Sequence, residues 1–212
     1  MSKRTRDLIG FIDLFKHGFS IDSFSLRGRV WKGRFPEETN IEVFIEKDNC
    51  RNSLFHMKVF RGRLPLYRPW IEIHTILSSA CGVTFDGLVE DTVLDLLSIY
   101  TGPGGRVFIE YEWDPVTMRE LEVDIPPAFT RLGYKLLVRG FTWFKDWYYA
   151  EGFMEGGRKL QAEKPVSPQR AKQHLQTLAS DAKNLLEKGL PSGMEKLEYR
   201  IKGILILLDS FK

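Results

Sequence analysis

The sequence predicts an α/β protein in which helices flank a mixed sheet, chiefly because of the order of elements in its middle. Residues 70–77 alternate apolar and polar side chains as a half-buried strand does, and residues 87–100 repeat apolar side chains at helical spacing. The pattern further predicts a strand over 106–113, a helix that opens at Pro126-Pro127, and an aromatic-rich strand over 142–149. Parallel strands need a helical crossover of this kind, so the order indicates an α/β sheet.

Length and composition fit a soluble globular protein. The 212 residues suit one medium domain plus an extension, and 43% hydrophobic with 28% charged residues exclude disorder as the main state. The net charge of +3 permits an anionic ligand or nucleic acid without indicating one.

The cysteines and the N-terminal segment carry no cross-linking or targeting signal. Cys50 and Cys81 form no CxxC unit and have no histidine at ligand spacing, so we expect neither a disulfide framework nor a metal site. The charged first residues lead into an amphipathic helix that Asp7 and Asp13 interrupt, which is typical neither of a signal peptide nor of a membrane span. We therefore expect a cytoplasmic protein with no membrane partner.

The end of the chain is predicted to be entirely helical. Residues 1–166 read as the α/β domain and residues 167–212 as a helical hairpin extension. Ser167-Pro168 begins the first helix, Gly189 ends it, and the capping box Ser192-Gly-Met-Glu195 begins the second. The apolar stripe of this hairpin must be buried, either against the α/β body or against a second subunit. A homodimer through 167–212 is therefore one expectation.

The first half contains a predicted antiparallel hairpin. Residues 40–46 and 53–60 alternate apolar and polar side chains and flank the turn-rich segment 47–52. Over about residues 5–150, the order of elements resembles that of the GNAT-type acetyltransferases. This order is a helix, antiparallel strands, and then strand, loop, helix, strand, helix and strand. The segment from Ala128 to Tyr134 also resembles the one that those enzymes carry before their last strands.

A second resemblance lies in the aromatic segment. The stretch from Phe141 to Tyr149, followed by Glu151 to Gly157, looks like a family of uncharacterised archaeal proteins that is grouped with acetyltransferase-like folds. The glycines after this stretch indicate a lid or a turn into a short helix at 159–163. For Trp147 and its aromatic neighbours, core packing, a stacking platform for the substrate and a subunit interface are all open.

The resemblance to acetyltransferases implies a GNAT-like sheet and an acyl-coenzyme A cofactor. In those enzymes a glycine loop at a helix start binds the pyrophosphate, and the implied backbone contacts here are Gly82, Gly87 and Leu88. The basic or amide residue of the family's loop is absent. The same helix start instead carries three carboxylates that repel a phosphate, namely Asp86, Glu90 and Asp91.

Strand alternation points to residues for proton transfer. Glu72 and His74 share one face of the 70–77 strand, and Glu110 and Glu112 share a face of the next. If these strands are neighbours, the four side chains converge, with Glu72 and His74 as general-base candidates and the two glutamates as contacts to an acceptor amine. Exposed polar strand faces explain the same pattern.

The remaining titratable residues give weaker indications of a site. The resemblance implies a tyrosine acid near Tyr134, whereas His17, His56 and His174 are interpreted as surface or cap residues.

The predicted function is an acyl-coenzyme A-dependent N-acyltransferase acting on an unknown small-molecule or amine acceptor. A non-catalytic binding or assembly protein that keeps the fold is the alternative. Nucleic-acid binding through the basic residues of 27–34 and 61–68 is the third possibility.

Overall fold

The computed structural model describes residues 19–21, 23–60, 70–77, 79–111, 125–149, 157–190 and 192–209. The chain forms two compact units, Met1–Glu110 and Tyr111–Lys212. The helix expected near the N-terminus lies outside the described residues. A separate extension beginning at residue 167 stays a prediction.

The first unit is a mixed sheet with one crossover helix. Helix α1 (Leu88–Tyr100) follows a small ribbon of β6 (Ser79–Ala80) and β7 (Val83–Thr84). The sheet strands, in their order across the sheet, are β1 (Phe19–Ile21), β2 (Phe24–Lys32), β3 (Glu38–Lys47), β4 (Cys50–Phe60), β5 (Trp70–Ile76) and β8 (Arg106–Tyr111).

Strand directions follow from the connections. Short links join β1 to β4, and each neighbouring pair from β1 to β5 is antiparallel. The long connection through α1 makes β5 and β8 parallel, from Trp70 opposite Arg106 to Ile73 opposite Ile109. The expectation of a mixed α/β protein is therefore confirmed.

The two faces of this sheet differ in polarity. Strands β3, β4 and β5 bury alternate apolar side chains such as Ile41, Met57 and Ile73, and Val93 and Leu97 of α1 are buried as well. Helix α1 contacts β4. The residues between these apolar positions point to the other side of the sheet and are largely polar, because successive side chains in a strand alternate.

The second unit contains one hairpin and three helices among its described residues. These are α2 (Arg131–Leu137), the antiparallel strands β9 (Trp143–Tyr149) and β10 (Gly157–Glu163), α3 (Pro168–Lys188) and α4 (Glu195–Asp209). Helices α3 and α4 pack on each other, and Leu175, Ala182, Leu197 and Ile201 lie in their shared core. No helix in the described part of the chain is long and apolar enough to cross a membrane.

Two local predictions in this unit are wrong. Residues 159–163 form part of strand β10 rather than a short helix, because pairing with β9 outweighs the weak helix tendency of five residues. Pro126-Pro127 opens a single 3₁₀ turn, Pro127–Phe129, and the α-helix begins after Thr130, whose side chain accepts a hydrogen bond from the Gly133 amide.

The absence of a disulfide is also a wrong prediction. Cys50 and Cys81 are joined, with their Cα atoms 5.5 Å apart. The bond connects the start of β4 to the Cys81-Gly82 turn of the β6–β7 ribbon, and both turn residues have positive φ. Residue spacing gave no hint of it, because only the packing of Ala80 against Ile45 and Leu54 brings the two cysteines together.

Replacing both Cys50 and Cys81 by alanine should lower the free energy of unfolding by about 3 kcal/mol, because a cross-link of this span restricts the unfolded chain. Urea unfolding of oxidised wild type against the double variant measures the difference. Dithiothreitol should destabilise the wild type and leave the variant unchanged. Equal midpoints for all samples would mean that the bond does not form in solution.

Gly133→Ala should destabilise the second unit by about 2–3 kcal/mol through overpacking. An added Cβ would lie 1.9 Å from the Pro127 carbonyl oxygen, and backbone cannot move aside as a flexible side chain can. Lys135→Ala on the same helix is the matched control and should unfold near the wild-type midpoint. Wild-type thermal stability in Gly133→Ala would show that α2 and the 3₁₀ turn are not so close.

Candidate functional site

One face of the first unit's sheet collects polar and aromatic side chains from four neighbouring strands. The registers place Arg29 opposite Glu42, Glu42 opposite His56, and Lys58 opposite Glu72. Residues that face each other in paired strands lie on the same side of the sheet. We call this set the polar face; it consists of Arg29, Trp31, Glu38, Asn40, Glu42, His56, Lys58, Glu72 and His74.

Three rings on the polar face form a stack. The ring centroids of Trp31 and His56 are 5.6 Å apart with an interplanar angle of 15°, and those of His56 and His74 are 5.4 Å apart at 30°. The Arg29 guanidinium lies 4.5 Å from the Trp31 ring centroid. The His56 imidazole is therefore held between Trp31 and His74, which fixes the plane of its ring.

A bulge brings the two histidines together. Thr75 is paired with His56 and Ile73 with Met57, so both His74 and Thr75 stand against the single residue His56. Bulges of this kind redirect a side chain and are frequent beside active sites.

Glu72 and His74 contact each other as their shared strand face predicts. The distance from His74 Nε2 to Glu72 Oε2 is 3.5 Å, and the two side chains are 23% and 28% exposed. A carboxylate and an imidazole side by side are residue types that take part in general acid–base chemistry.

A hydrogen-bonded chain that begins at the buried residues Glu38 and Asn40 ends at His56. Asn40 Nδ2 donates to Glu38 Oε1 at 2.9 Å, and Asn40 Oδ1 lies 3.0 Å from His56 Nε2. Glu38 and Asn40 are only 5% and 4% exposed, and buried polar groups are stable when they are paired in this way. Gly33 leaves the room that Glu38 occupies, since a Cβ there would lie 2.1 Å from the Glu38 carboxyl carbon.

The environment of His56 lowers its pKa. Burial is the main cause, and the neighbouring His74, Lys58 and Arg29 act in the same direction, while Glu42 opposes them. His56 therefore stays neutral to lower pH than an exposed histidine does.

The glycines of the implied coenzyme loop occupy backbone positions that a turn and a helix cap require. Gly82 lies in the ribbon turn and Gly87 caps α1, both with positive φ, and Leu88 is exposed. The first turn of α1 carries Glu90 and Asp91. The helix start is thus already supplied with negative charge, and these residues do not fit a pyrophosphate.

The other predicted site residues are not brought into the polar face by anything the structure describes. Glu110 belongs to β8 but its side chain lies outside the described part, as does all of Glu112. Tyr134 and Trp147 belong to the second unit, and the side chain of Trp147 is likewise outside the described part. The Tyr134 hydroxyl packs on α4, where a Cβ on Gly203 would lie 2.4 Å from it, and burial raises the Tyr134 pKa.

Sequence reasoning missed the hydrogen-bonded chain of this site, which consists of His56, Asn40 and Glu38. His56 was expected to be a surface or cap residue, and that prediction is wrong, because it is stacked and hydrogen-bonded on the polar face. Pairing the predicted strands β4 and β5 antiparallel would have placed His56 near His74. Asn40 and Glu38 gave no signal beyond alternation. Within the described residues, no group of three or more His, Cys, Asp or Glu side chains is placed to hold a metal ion.

Fold and site together define a mixed α/β protein with acid–base side chains on one half-buried sheet face. The chain belongs to the DUF1122 family, a protein family of unknown function, which matches residues 22–189. It is also similar to a protein of unknown function, AQ1966 from Aquifex aeolicus VF5, at 33% identity over 95% of this chain and 98% of the other, with a TM-score of 0.73. A search of curated proteins gives no match. Neither similarity bears on the acetyltransferase resemblance or on an archaeal origin.

Stability should fall as the pH drops below the ordinary histidine pKa, because a lowered pKa in the folded state means that protonation favours the unfolded chain. His174 acts in the same direction, since burial and Arg170 lower its pKa. His56→Gln should remove part of the loss between about pH 7 and pH 5 in urea unfolding. His174→Gln is the matched control and should remove only its own part. An unchanged slope in His56→Gln would contradict the lowered pKa.

Proposed function

We propose that the protein is an N-acyltransferase of unknown acceptor with a GNAT-like sheet, which uses the polar face to deprotonate an amine. The contact between Glu72 and His74 is the observation that carries this proposal. The pair lies on β5, which is parallel to β8 and is followed by the ribbon and α1. Ligands of α/β proteins commonly bind beyond the carboxyl ends of such strands.

The chemistry requires two proton movements. As the amine nitrogen bonds to the acyl carbon, the carbon–sulfur bond of the donor breaks; the amine loses a proton and the departing thiolate gains one. An acyl thioester such as acyl-coenzyme A supplies the activated carbonyl. In the proposal, His74 accepts the amine proton and Glu72 stabilises the resulting imidazolium. Tyr134 receives no role, since its hydroxyl is packed against Gly203.

A non-catalytic binding or assembly protein is the second candidate, and one observation favours it. The start of α1 does not fit the pyrophosphate of coenzyme A, because Glu90 and Asp91 occupy its first turn and Glu90 is buried there. We therefore assign no contact between this helix and the donor.

Nucleic-acid binding is not proposed. Arg27 and Arg29, two of the basic residues expected to contact phosphates, pair with Glu46 and Glu42 instead. These carboxylates would have to be displaced before either arginine could bind a phosphate, which weakens the electrostatic gain.

Location and assembly are further parts of the proposal. A homodimer through residues 167–212 is supported by the exposed Tyr199 and Ile206 on α4. A cytoplasmic location is kept as a proposal, although the Cys50–Cys81 bond requires surroundings that are not strongly reducing.

Titration calorimetry with acetyl-coenzyme A and an acyl-transfer assay over a panel of amines test the proposal. We expect saturable binding, and we expect Glu72→Gln and His74→Gln each to lower kcat/KM by about 10²-fold or more with donor binding retained. His174→Gln, a half-buried histidine of the second unit that contacts Thr142, is the matched control and should keep wild-type kinetics. No heat at millimolar acetyl-coenzyme A would favour the binding-protein candidate.

A further inference from the structure

We propose that His56 is a second proton-accepting residue of the polar face, which presents Nδ1 because Asn40 and Glu38 fix the tautomer of its ring. This inference deepens the proposed function and rests on it for the reaction, but the tautomer itself is a property of the free protein. The argument starts from the hydrogen-bonded chain that ends at His56 Nε2.

The direction of that chain follows from what each group can donate. The amide nitrogen of Asn40 faces Glu38 Oε1 and can only donate, so Glu38 accepts this hydrogen bond. The Asn40 oxygen is then the atom that faces His56, and an amide oxygen also only accepts. His56 Nε2 must therefore carry a proton, and in the neutral ring the lone pair is on Nδ1.

Burial prevents the chain from reversing. Glu38 and Asn40 are almost fully inaccessible, so water cannot replace their partners at low cost. The side chain of Glu38 fits against Gly33, and the main chain holds the turn through the bonds from the Gly33 amide to the Glu38 oxygen and from the Glu38 amide to the Phe35 oxygen. The rings of Trp31 and His74 fix the His56 plane from both sides. Both the tautomer and the orientation of the ring are thus imposed before any ligand binds.

Charges from every neighbouring strand surround His56. They belong to Arg29 on β2, Glu38 and Glu42 on β3, Lys58 on β4, and Glu72 and His74 on β5. Burial together with His74, Lys58 and Arg29 lowers the pKa of His56, whereas Glu42 raises it. The neutral ring with a basic Nδ1 is consequently the main form at neutral pH.

The two stacked imidazoles form one proton-accepting unit. Like charges at a ring separation of 5.4 Å repel each other, so a proton on one ring disfavours a proton on the other. In the proposed reaction the pair therefore accepts one proton per turnover, with Glu72 beside His74 and the Asn40 amide beside His56.

Long-range ¹H–¹⁵N correlation spectra of the ¹⁵N-labelled full chain test the tautomer directly. The chain has four histidines, and glutamine variants of His17, His74 and His174 assign the His56 signals by elimination. We expect an Nε2–H tautomer with an unprotonated Nδ1 in the wild type. Asn40→Leu keeps the approximate shape but removes the acceptor, so His56 should become a mixture of both tautomers. An Nδ1–H tautomer in the wild type, or an unchanged tautomer in Asn40→Leu, would overturn the proposal.

Two further variants separate a positioning role from a merely structural one. Glu42→Gln removes a charge that faces His56 without touching the chain through Asn40, so the tautomer should stay and the His56 pKa should fall further. Asn40→Asp keeps an acceptor and adds a negative charge, so the tautomer should stay and the pKa should rise. A rise of the His56 pKa in Glu42→Gln, a fall in Asn40→Asp, or equal shifts in both variants would contradict the assigned network.

The reaction adds a separate readout. His56→Gln should lower kcat/KM by about 10-fold or more and move the acidic limb of its pH profile, with KM for the donor unchanged. Wild-type kinetics in His56→Gln would remove the catalytic role. If the tautomer is as proposed but acetyl-coenzyme A does not bind, the proposed function fails and the tautomer assignment of His56 stands.

Discussion

The registers in which strand β4 pairs with β3 and β5 determine which side chains stand together on the polar face of the first unit. Because side chains alternate along a strand, a slip of one residue would exchange the apolar face for the polar face. Burial of Ile41, Met57 and Ile73 therefore fixes the side on which His56 and Glu72 stand. The free energy of core packing thus also positions polar groups that contribute little to the core.

The two most buried members of the polar face, Glu38 and Asn40, satisfy each other by a hydrogen bond. A buried amide or carboxylate without a partner costs on the order of 1–3 kcal/mol, whereas a formed hydrogen bond contributes about 0.5–1.5 kcal/mol of net stability. Glu38 and Asn40 are joined to each other and to His56, and Arg29 is paired with Glu42. The sheet can therefore hold two histidines in a half-buried position, where the pKa of His56 responds to burial and to the neighbouring charges.

The local pattern of apolar and polar residues in the sequence predicted the fold better than it predicted the site. Alternation along one strand was enough to place Glu72 beside His74, since both residues belong to the same seven-residue strand. It could not identify His56, because that residue meets His74 only through the pairing of two strands and a bulge that no local signal encodes. The Cys50–Cys81 bond and strand β10 were missed for the same reason: each depends on a partner that is distant in the sequence.

The start of α1 shows why a glycine pattern alone does not make a phosphate site. A helix N-terminus carries roughly half a positive charge, and carboxylates in its first turn already interact favourably with it. Here Gly87 serves as the cap with positive φ, and Glu90 is buried beside Asp91. An incoming pyrophosphate would have to displace or outweigh these charges in a region of low dielectric constant. Anion recognition at this helix is thus opposed by the same residues that stabilise its first turn.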